Sequence, residues 1–283
     1  MPWASFAGAF VLIAVFYLVS ALLFRLIVPR AGRVAGALKS VHGRIFPDRP
    51  GQDDGWLLHR LRLRLDPHTF RGLPLTLLVA AALYAVILFS GLTEDVLDTG
   101  ALDRFDGVAS ALVQPWRVEP ALTWFRWISA IAGGPAILAV LLVSTGFLAL
   151  WPRRVPILAL WTVFAGAQLT TTLGKTVIAR PRPEPMYDVA LLAAFPSGHA
   201  TVVMAVYGFL GYLIARQMPD PLARFHVAFA TLVAVALVGL SRVVLNVHFA
   251  SDVAGGYLVG LFWLLLGVIL VEGRQRSSEA SAP

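Results

Sequence analysis

Long apolar runs alternate with short polar breaks along this chain, and that spacing predicts helices of membrane length. Apolar segments occupy residues 5–28, 73–93, 133–151, 155–177, 198–216, 225–243 and 252–271. Each approaches the roughly 20 residues that a helix needs to cross a hydrocarbon core about 30 Å thick. The expected fold is all-α, a polytopic transmembrane helix bundle. A six-helix core spans 73–271, preceded by one N-terminal transmembrane helix within 1–30. Residues 31–72 read as a basic cytoplasmic loop and 272–283 as a cytoplasmic tail. Two stretches are ambiguous in the pattern. Residues 56–65 (WLLHRLRLRL) could alternate as a strand, but Leu57, Leu58, Leu61 and Leu65 also make one helical stripe, which favours an interfacial helix. Residues 120–131 (PALTWFRWISAI) either lie in the interface or extend the third crossing.

Composition agrees with a bilayer environment. Of the 283 residues, 58% are hydrophobic and only 14% charged, and the mean hydropathy is +0.76. An ordinary soluble domain could not bury that much apolar surface. The net charge of +7 does not point to nucleic acid, because the arginines stand between apolar runs with no polar domain to display them. With no cysteine in the chain, disulfides and thiolate chemistry are excluded.

Loop charge predicts the orientation, since Lys and Arg stay on the cytoplasmic side. The first segment has its positive residues after it, not before it, which is the wrong polarity for a cleaved signal peptide. Residues 29–71 carry nine Lys and Arg side chains and go inside, whereas 94–132 holds Glu94, Asp95, Asp98, Asp103 and Asp106 and goes outside. Alternation then places 178–197 and 244–251 outside, with Arg153, Arg154, Arg216, Arg224 and the tail inside. The predicted location is the cell (inner) membrane, with the N-terminus extracytoplasmic and the C-terminus cytoplasmic. The acidic stretch 95–106 reads as solvated loop, because it lacks a recognisable calcium-ligand spacing.

Three polar clusters fall on the predicted outer side. Lys175, Arg180 and Arg182 gather where Pro181 and Pro183 stop the fourth crossing. Snorkelling at a helix end would explain them, but the outer side disfavours unpaired cations, so a cluster there needs an anion. Pro196-Ser197-Gly198-His199 precedes the fifth crossing, where unpaired backbone N–H groups can cradle an anion and Ser197 could instead be only an N-cap. Ser241-Arg242, His248 and Asp252 form the third cluster. His248 and Asp252 share one helical face at a spacing of four, as a carboxylate orienting an imidazole would, or as a structural ion pair would. Cations, N–H donors, an imidazole nucleophile or base and a proton donor are what phosphoryl transfer requires. Spacing alone does not choose between His199 and His248 as nucleophile. Clustered carboxylates with histidine are missing from the three motifs, so neither a metal nor another cofactor is expected.

The pattern Lys175-x6-Arg182-Pro183, Pro196-Ser197-Gly198-His199 and Ser241-Arg242-x5-His248-x3-Asp252 resembles the three-part signature of the type 2 phosphatidic acid phosphatase superfamily, which includes bacterial acid phosphatases and vanadium haloperoxidases. All three parts are complete and in order. The resemblance implies a six-helix phosphatase core with His248 as nucleophile, Asp252 orienting it and His199 protonating the leaving group. Lys175, Arg182, Ser197, Gly198 and Arg242 would hold the phosphate oxygens. Arg180 lies outside the strict pattern. The implied function is a lipid phosphate or pyrophosphate phosphatase acting at the extracytoplasmic face. Candidate substrates are an isoprenoid pyrophosphate such as undecaprenyl pyrophosphate, phosphatidate or phosphatidylglycerol phosphate. A lipid-to-lipid phosphotransferase would use the same site, and a non-catalytic lipid transporter would need only the basic pocket. Residues 189–195 are a candidate entrance or lid, and Gly256 and Gly260 mark close helix packing within one bundle. His42, His59, His68 and His226 lie near predicted cytoplasmic segments and are read as non-catalytic.

Overall fold

The computed structural model describes residues 2–46, 56–67, 69–98, 100–151, 154–183 and 193–279. Among these the chain is helical throughout, in the order α1 (Pro2–Ile45), α2 (Trp56–Leu65), α3 (Leu73–Leu97), α4 (Asp103–Val113), α5 (Ala121–Ala130), α6 (Gly134–Ala149), α7 (Val155–Ile178), α8 (Gly198–Val202), α9 (Gly208–Gln217), α10 (Pro221–Val244) and α11 (Ala250–Glu279). One π-helical turn, Val203–Tyr207, joins α8 to α9, so 198–217 is a single continuous span. The all-α transmembrane bundle expected from the apolar spacing is the observed fold. Five spans among the described residues are long and apolar enough to cross a membrane, and the bent pair α5 and α6 makes a sixth when counted as one span.

Local sequence explains the helix ends. Pro at the first turn starts α3, α6, α7 and α10, where its missing N–H costs nothing. Asp220 caps α10 by accepting from Ala223 N at 3.0 Å. At the other end of α7, Ala179 takes a left-handed conformation (φ 49°) before Pro181 and Pro183. The ambiguous 56–65 segment is helical, as the leucine stripe favours.

Two sequence expectations change, and an alternative left open takes its form. Helix α1 does not end near residue 30 but continues to Ile45; no proline interrupts 33–45, and Ala35, Ala37, Leu38 and Lys39 are good helix formers. Residues 121–130, which the sequence left either in the interface or extending the third crossing, form their own helix, bent by 41° from α6 at the Gly133-Gly134-Pro135 break. The acidic stretch is only partly loop: Asp95 lies in the last turn of α3, Asp98 follows its end, and Asp103 and the buried Asp106 belong to α4.

Helix α11 is the hub, packed against α3, α7 and α8. Lipid tails offer as much apolar contact as leucine does, so close packing and internal hydrogen bonds hold such a bundle. Gly256 and Gly260 supply the closest approach. A Cβ at Gly256 would lie 2.6 Å from Ser197 O, and one at Gly260 would lie 2.6 Å from Thr201 O. The glycine pair therefore packs α11 against α8, within the chain. Two polar tips inside the bundle are satisfied by neighbouring helices: Tyr257 OH donates to Val235 O at 2.7 Å, and Trp263 Nε1 donates to Thr170 Oγ1 at 3.0 Å.

Helix α1 docks on α10 through aromatic contacts. Phe24 meets Phe225 at 4.8 Å between ring centroids, Tyr17 meets Phe229 at 5.1 Å, and the Tyr17 hydroxyl lies 3.0 Å from His226 Nε2. Numbers fall on α1 as they rise on α10, so the helices are antiparallel. The start of α1 therefore lies at the end of the bundle where α10 finishes. That end also receives the finish of α7 and the starts of α8 and α11, covered by α4 and α5.

Candidate active site

All three polar clusters converge there. The turn between α10 and α11 is tight: Asn246 adopts φ 55°, which asparagine tolerates, and Val247 N donates back to Arg242 O at 3.2 Å. This reversal turns His248 into the bundle, where it is 3% exposed beside the fully buried Asp252. His248 Nδ1 lies 3.5 Å from Asp252 Oδ2. On the other edge of the ring, Arg182 Nη1 lies 3.4 Å from His248 Nε2 and donates to Val247 O at 2.8 Å. A guanidinium has no acceptor, so it can meet only an imidazole lone pair. That geometry places the lone pair on Nε2 and the ring proton on Nδ1, towards Asp252. The ring is held neutral: burial pushes the His248 pKa down to about 4, outweighing the pull of Asp252 in the other direction.

The second cluster is tied to the third through the backbone, because Ser197 N donates to Asp252 O at 3.0 Å. The sequence left open whether Ser197 is only an N-cap. Ser197 does occupy the N-cap position of α8, but its side chain makes no cap bond and its fully buried Oγ makes no hydrogen bond in the structure. Gly198 leaves the start of α8 uncovered, with Thr171 Cγ2 the nearest atom to a notional Cβ, at 3.5 Å. His199, in the first turn, lies within the electrostatic reach of Arg242, His248, Arg182 and Lys175.

Of the first cluster, Arg182 faces His248, while Lys175 Nζ donates to Ala193 O at 2.5 Å. Arg242 donates from Nη1 to Ser129 Oγ on α5, which links the bent helix to the site. Residues 189–192 of the candidate lid lie outside the described residues. Phe195 is a buried core residue stacked on Phe89 at 5.6 Å. Among the other histidines, His42 contacts Arg62 O at 3.3 Å and His226 meets Tyr17. His68 lies outside the described residues.

Residues 156–276 match the sequence profile of the PAP2 superfamily. This segment is a PAP2 superfamily domain. Over 193 residues the chain is 28% identical to phosphatidylglycerophosphatase B of Bacillus subtilis (strain 168), covering 65% of this chain and 92% of that protein. It is 29% identical to a lipid A 1-phosphatase of Rhizobium etli, covering 59% and 77% respectively. The crystal structure of a transmembrane PAP2-type phosphatidylglycerolphosphate phosphatase from Bacillus subtilis superposes with a TM-score of 0.62 at 24% identity. That match covers 69% of this chain and 96% of the other. The PAP2 fold, with its multi-pass membrane helices, is thereby established for this protein.

Asp106 escaped the sequence reading, and Arg180 was named there without a role. Asp106 is 6% exposed, ion-paired to Arg180 at 2.9 Å, and accepts from Ser251 N and Ser251 Oγ at 2.9 and 2.6 Å. Arg180 also binds Asp252 Oδ1 at 2.6 Å and Ser251 Oγ at 2.7 Å, with its guanidinium 4.4 Å from the Phe249 ring centre. One signal for Asp106 was available. A cation beyond the motif, in a membrane protein, calls for a carboxylate. Among the described residues no three His, Cys, Asp or Glu side chains group as metal ligands would.

Proposed function

We propose that this protein is an integral membrane phosphatase that hydrolyses a phosphorylated lipid through a phosphohistidine on His248, without a metal. The observation that carries the reading is the His248 ring, with Nδ1 facing Asp252 and Nε2 facing the Arg182 guanidinium. His248 Nε2 attacks phosphorus, forming the N–P bond as the bond to the leaving oxygen breaks. His199 gives that oxygen a proton. Asp252 stabilises the positive charge that develops on the ring, as a carboxylate behind an attacking imidazole does. Lys175, Arg182, Arg242, Ser197 Oγ and the N–H groups at Ser197-Gly198 hold the phosphoryl oxygens, where preorganised charge lowers the barrier. Water then attacks phosphorus, the N–P bond breaks, and His199 takes the water proton. The 3.5 Å separation of His248 and Asp252 suits such a role, since catalytic hydrogen bonds often shorten only when substrate is bound.

The names of the relatives, phosphatidylglycerophosphatase B and lipid A 1-phosphatase, support a phosphorylated lipid as the substrate class. The site end is extracytoplasmic in this reading. Arg154, Arg216 and Arg224 stand at the opposite end, as the positive-inside rule requires. A substrate tail in the outer leaflet would bring its phosphate to the starts of α8 and α11. The test is phosphate release by purified protein in detergent with chelator present, over phosphatidate, phosphatidylglycerol phosphate, undecaprenyl pyrophosphate and lipid A. Release from at least one is expected. No release from any would return the chain to a transport role, and loss on chelation would refute the metal-free step. His248→Ala should abolish acid-labile phosphate labelling, and a reporter fused after Pro185 should read as extracytoplasmic.

A further inference from the structure

The three-part motif leaves one buried charge network unexplained. Arg180 is a forked cation between two carboxylates, with Nη1 on Asp252 Oδ1 and Nη2 on Asp106 Oδ2. Asp106 sits on α4, far from the motifs in sequence, and is held by both the backbone and the hydroxyl of Ser251. Asp252 is thereby fixed at both oxygens: Oδ1 by Arg180, and Oδ2 by Phe249 N at 2.9 Å, with His248 Nδ1 on the same oxygen's side.

We propose that Asp106 and Arg180 are positioning residues for phosphoryl transfer, aiming Asp252 Oδ2 at His248 Nδ1 and leaving one unit of negative charge to face the ring. The inference rests on the phosphohistidine reading above. Its electrostatics are simple. When Nε2 bonds to phosphorus the ring becomes cationic, with its proton on Nδ1. Arg180 alone would neutralise Asp252 and leave little for that cation. With Asp106 on its other arm, Arg180 is shared, and the Asp106–Arg180–Asp252 group keeps a net charge of about −1 in a poorly solvated site where charge acts strongly. The fork matters as much as the charge, because only a guanidinium presents two parallel N–H edges to separate carboxylates.

A simple latch of α4 onto the bundle would predict a different result from substitution. The full-length protein in detergent is assayed with a short-chain phosphatidate, measuring kcat, KM and thermal unfolding. Asp106→Asn keeps shape and one acceptor but removes the charge. It should lower kcat about tenfold to a hundredfold, the range seen for groups that orient a ligating side chain, with KM within about threefold. Arg180→Lys keeps the charge without the fork, and the same kcat loss is expected. The double variant should be no slower than the slower single one, because both act through Asp252. A kcat within twofold of the parent in Asp106→Asn, with only the unfolding temperature lowered, overturns the proposal in favour of the latch. If Asp106→Asn does not fold, parental kcat in Arg180→Lys overturns it equally. His248→Ala separates the two levels. Retained hydrolysis in that variant sinks the phosphohistidine reading itself, whereas a dead His248→Ala beside a fully active Asp106→Asn sinks only the positioning role.

Discussion

Gly256→Ala should slow the enzyme far more than it unfolds it. Gly256 lies one helical turn after Asp252, on the face of α11 that meets the start of α8. A Cβ there would sit 2.6 Å from Ser197 O, 2.9 Å from Ala200 Cβ and 3.1 Å from Thr201 N. Two of these atoms are backbone and the third is a methyl with no rotamer to change, so relief requires the segments to move apart. Restoring ordinary contact asks for roughly 0.5–1 Å of separation, given optimal carbon contacts near 3.5–4.0 Å. The Ser197 N to Asp252 O bond crosses the same junction, so the displacement falls between the phosphate cradle and the His248–Asp252 pair. Misplacement on the order of 1 Å can cost about a hundredfold in rate, and overpacking typically costs about 1–3 kcal/mol in stability. The expected outcome is a kcat lowered about tenfold to a hundredfold in a protein that still folds. Gly146→Ala is the control, since nothing lies within 4 Å of its notional Cβ. Phosphate release and thermal unfolding in the same detergent read both effects. A Gly256→Ala variant with parental kcat would refute the reasoning, because the junction would then tolerate the shift.

Other predictions follow from the same geometry. Ser197→Ala should leave the unfolding temperature unchanged or raise it, against the loss of about 1 kcal/mol usual at an N-cap, while lowering kcat/KM; a clear loss of stability would mean that the hydroxyl is a cap after all. Because the His248 pKa is pushed down to about 4, the ring stays neutral and nucleophilic well below neutrality. As pH falls, protonation of Nε2 should reduce kcat/KM with a limb near pH 4, and a limb near 6.5 assigned to His248 would contradict the buried site. Asp252→Asn should reduce kcat by about 10³–10⁴ with KM little changed, as in other imidazole–carboxylate pairs; steady-state kinetics on phosphatidate decide it, and a loss below tenfold would remove Asp252 from the chemistry. Tyr212→Phe, which deletes the hydroxyl bonded to Glu272 at the far end of the bundle, should cost about 1 kcal/mol of stability and leave kcat unchanged, as measured by thermal unfolding beside the phosphate assay.

Helices were legible in this chain because a membrane span leaves a long, nearly uninterrupted apolar run. The segments at 73–93, 155–177, 225–243 and 252–271 each became one helix, starting within four residues of those positions, with α11 running on to Glu279. Arg182, Ser197, Gly198, His199, Arg242, His248 and Asp252 were legible as polar breaks at helix ends, and the fold gathers them at one end of the bundle. What spacing could not decide was the role of each atom. The arginine that has no lone pair of its own settles which nitrogen of His248 faces outward, and it comes from a different helix end 66 residues earlier. The side-chain-cap alternative for Ser197 fell only when its hydroxyl was seen to make no cap bond.

Other features were beyond the pattern altogether. Asp106 belongs to an acidic stretch indistinguishable in sequence from solvated loop, and it is buried because the tertiary fold brings α4 over Arg180 and Ser251. The bend between α5 and α6 places Ser129 against Arg242, a contact spanning 113 residues. By itself, then, the sequence determined a helical membrane bundle and the polar clusters that break it at helix ends, since hydropathy and short-range spacing are local properties. The tertiary structure decided how the buried charges pair, because each carboxylate here takes its partner from another part of the chain, and only the folded bundle brings those parts within bonding distance.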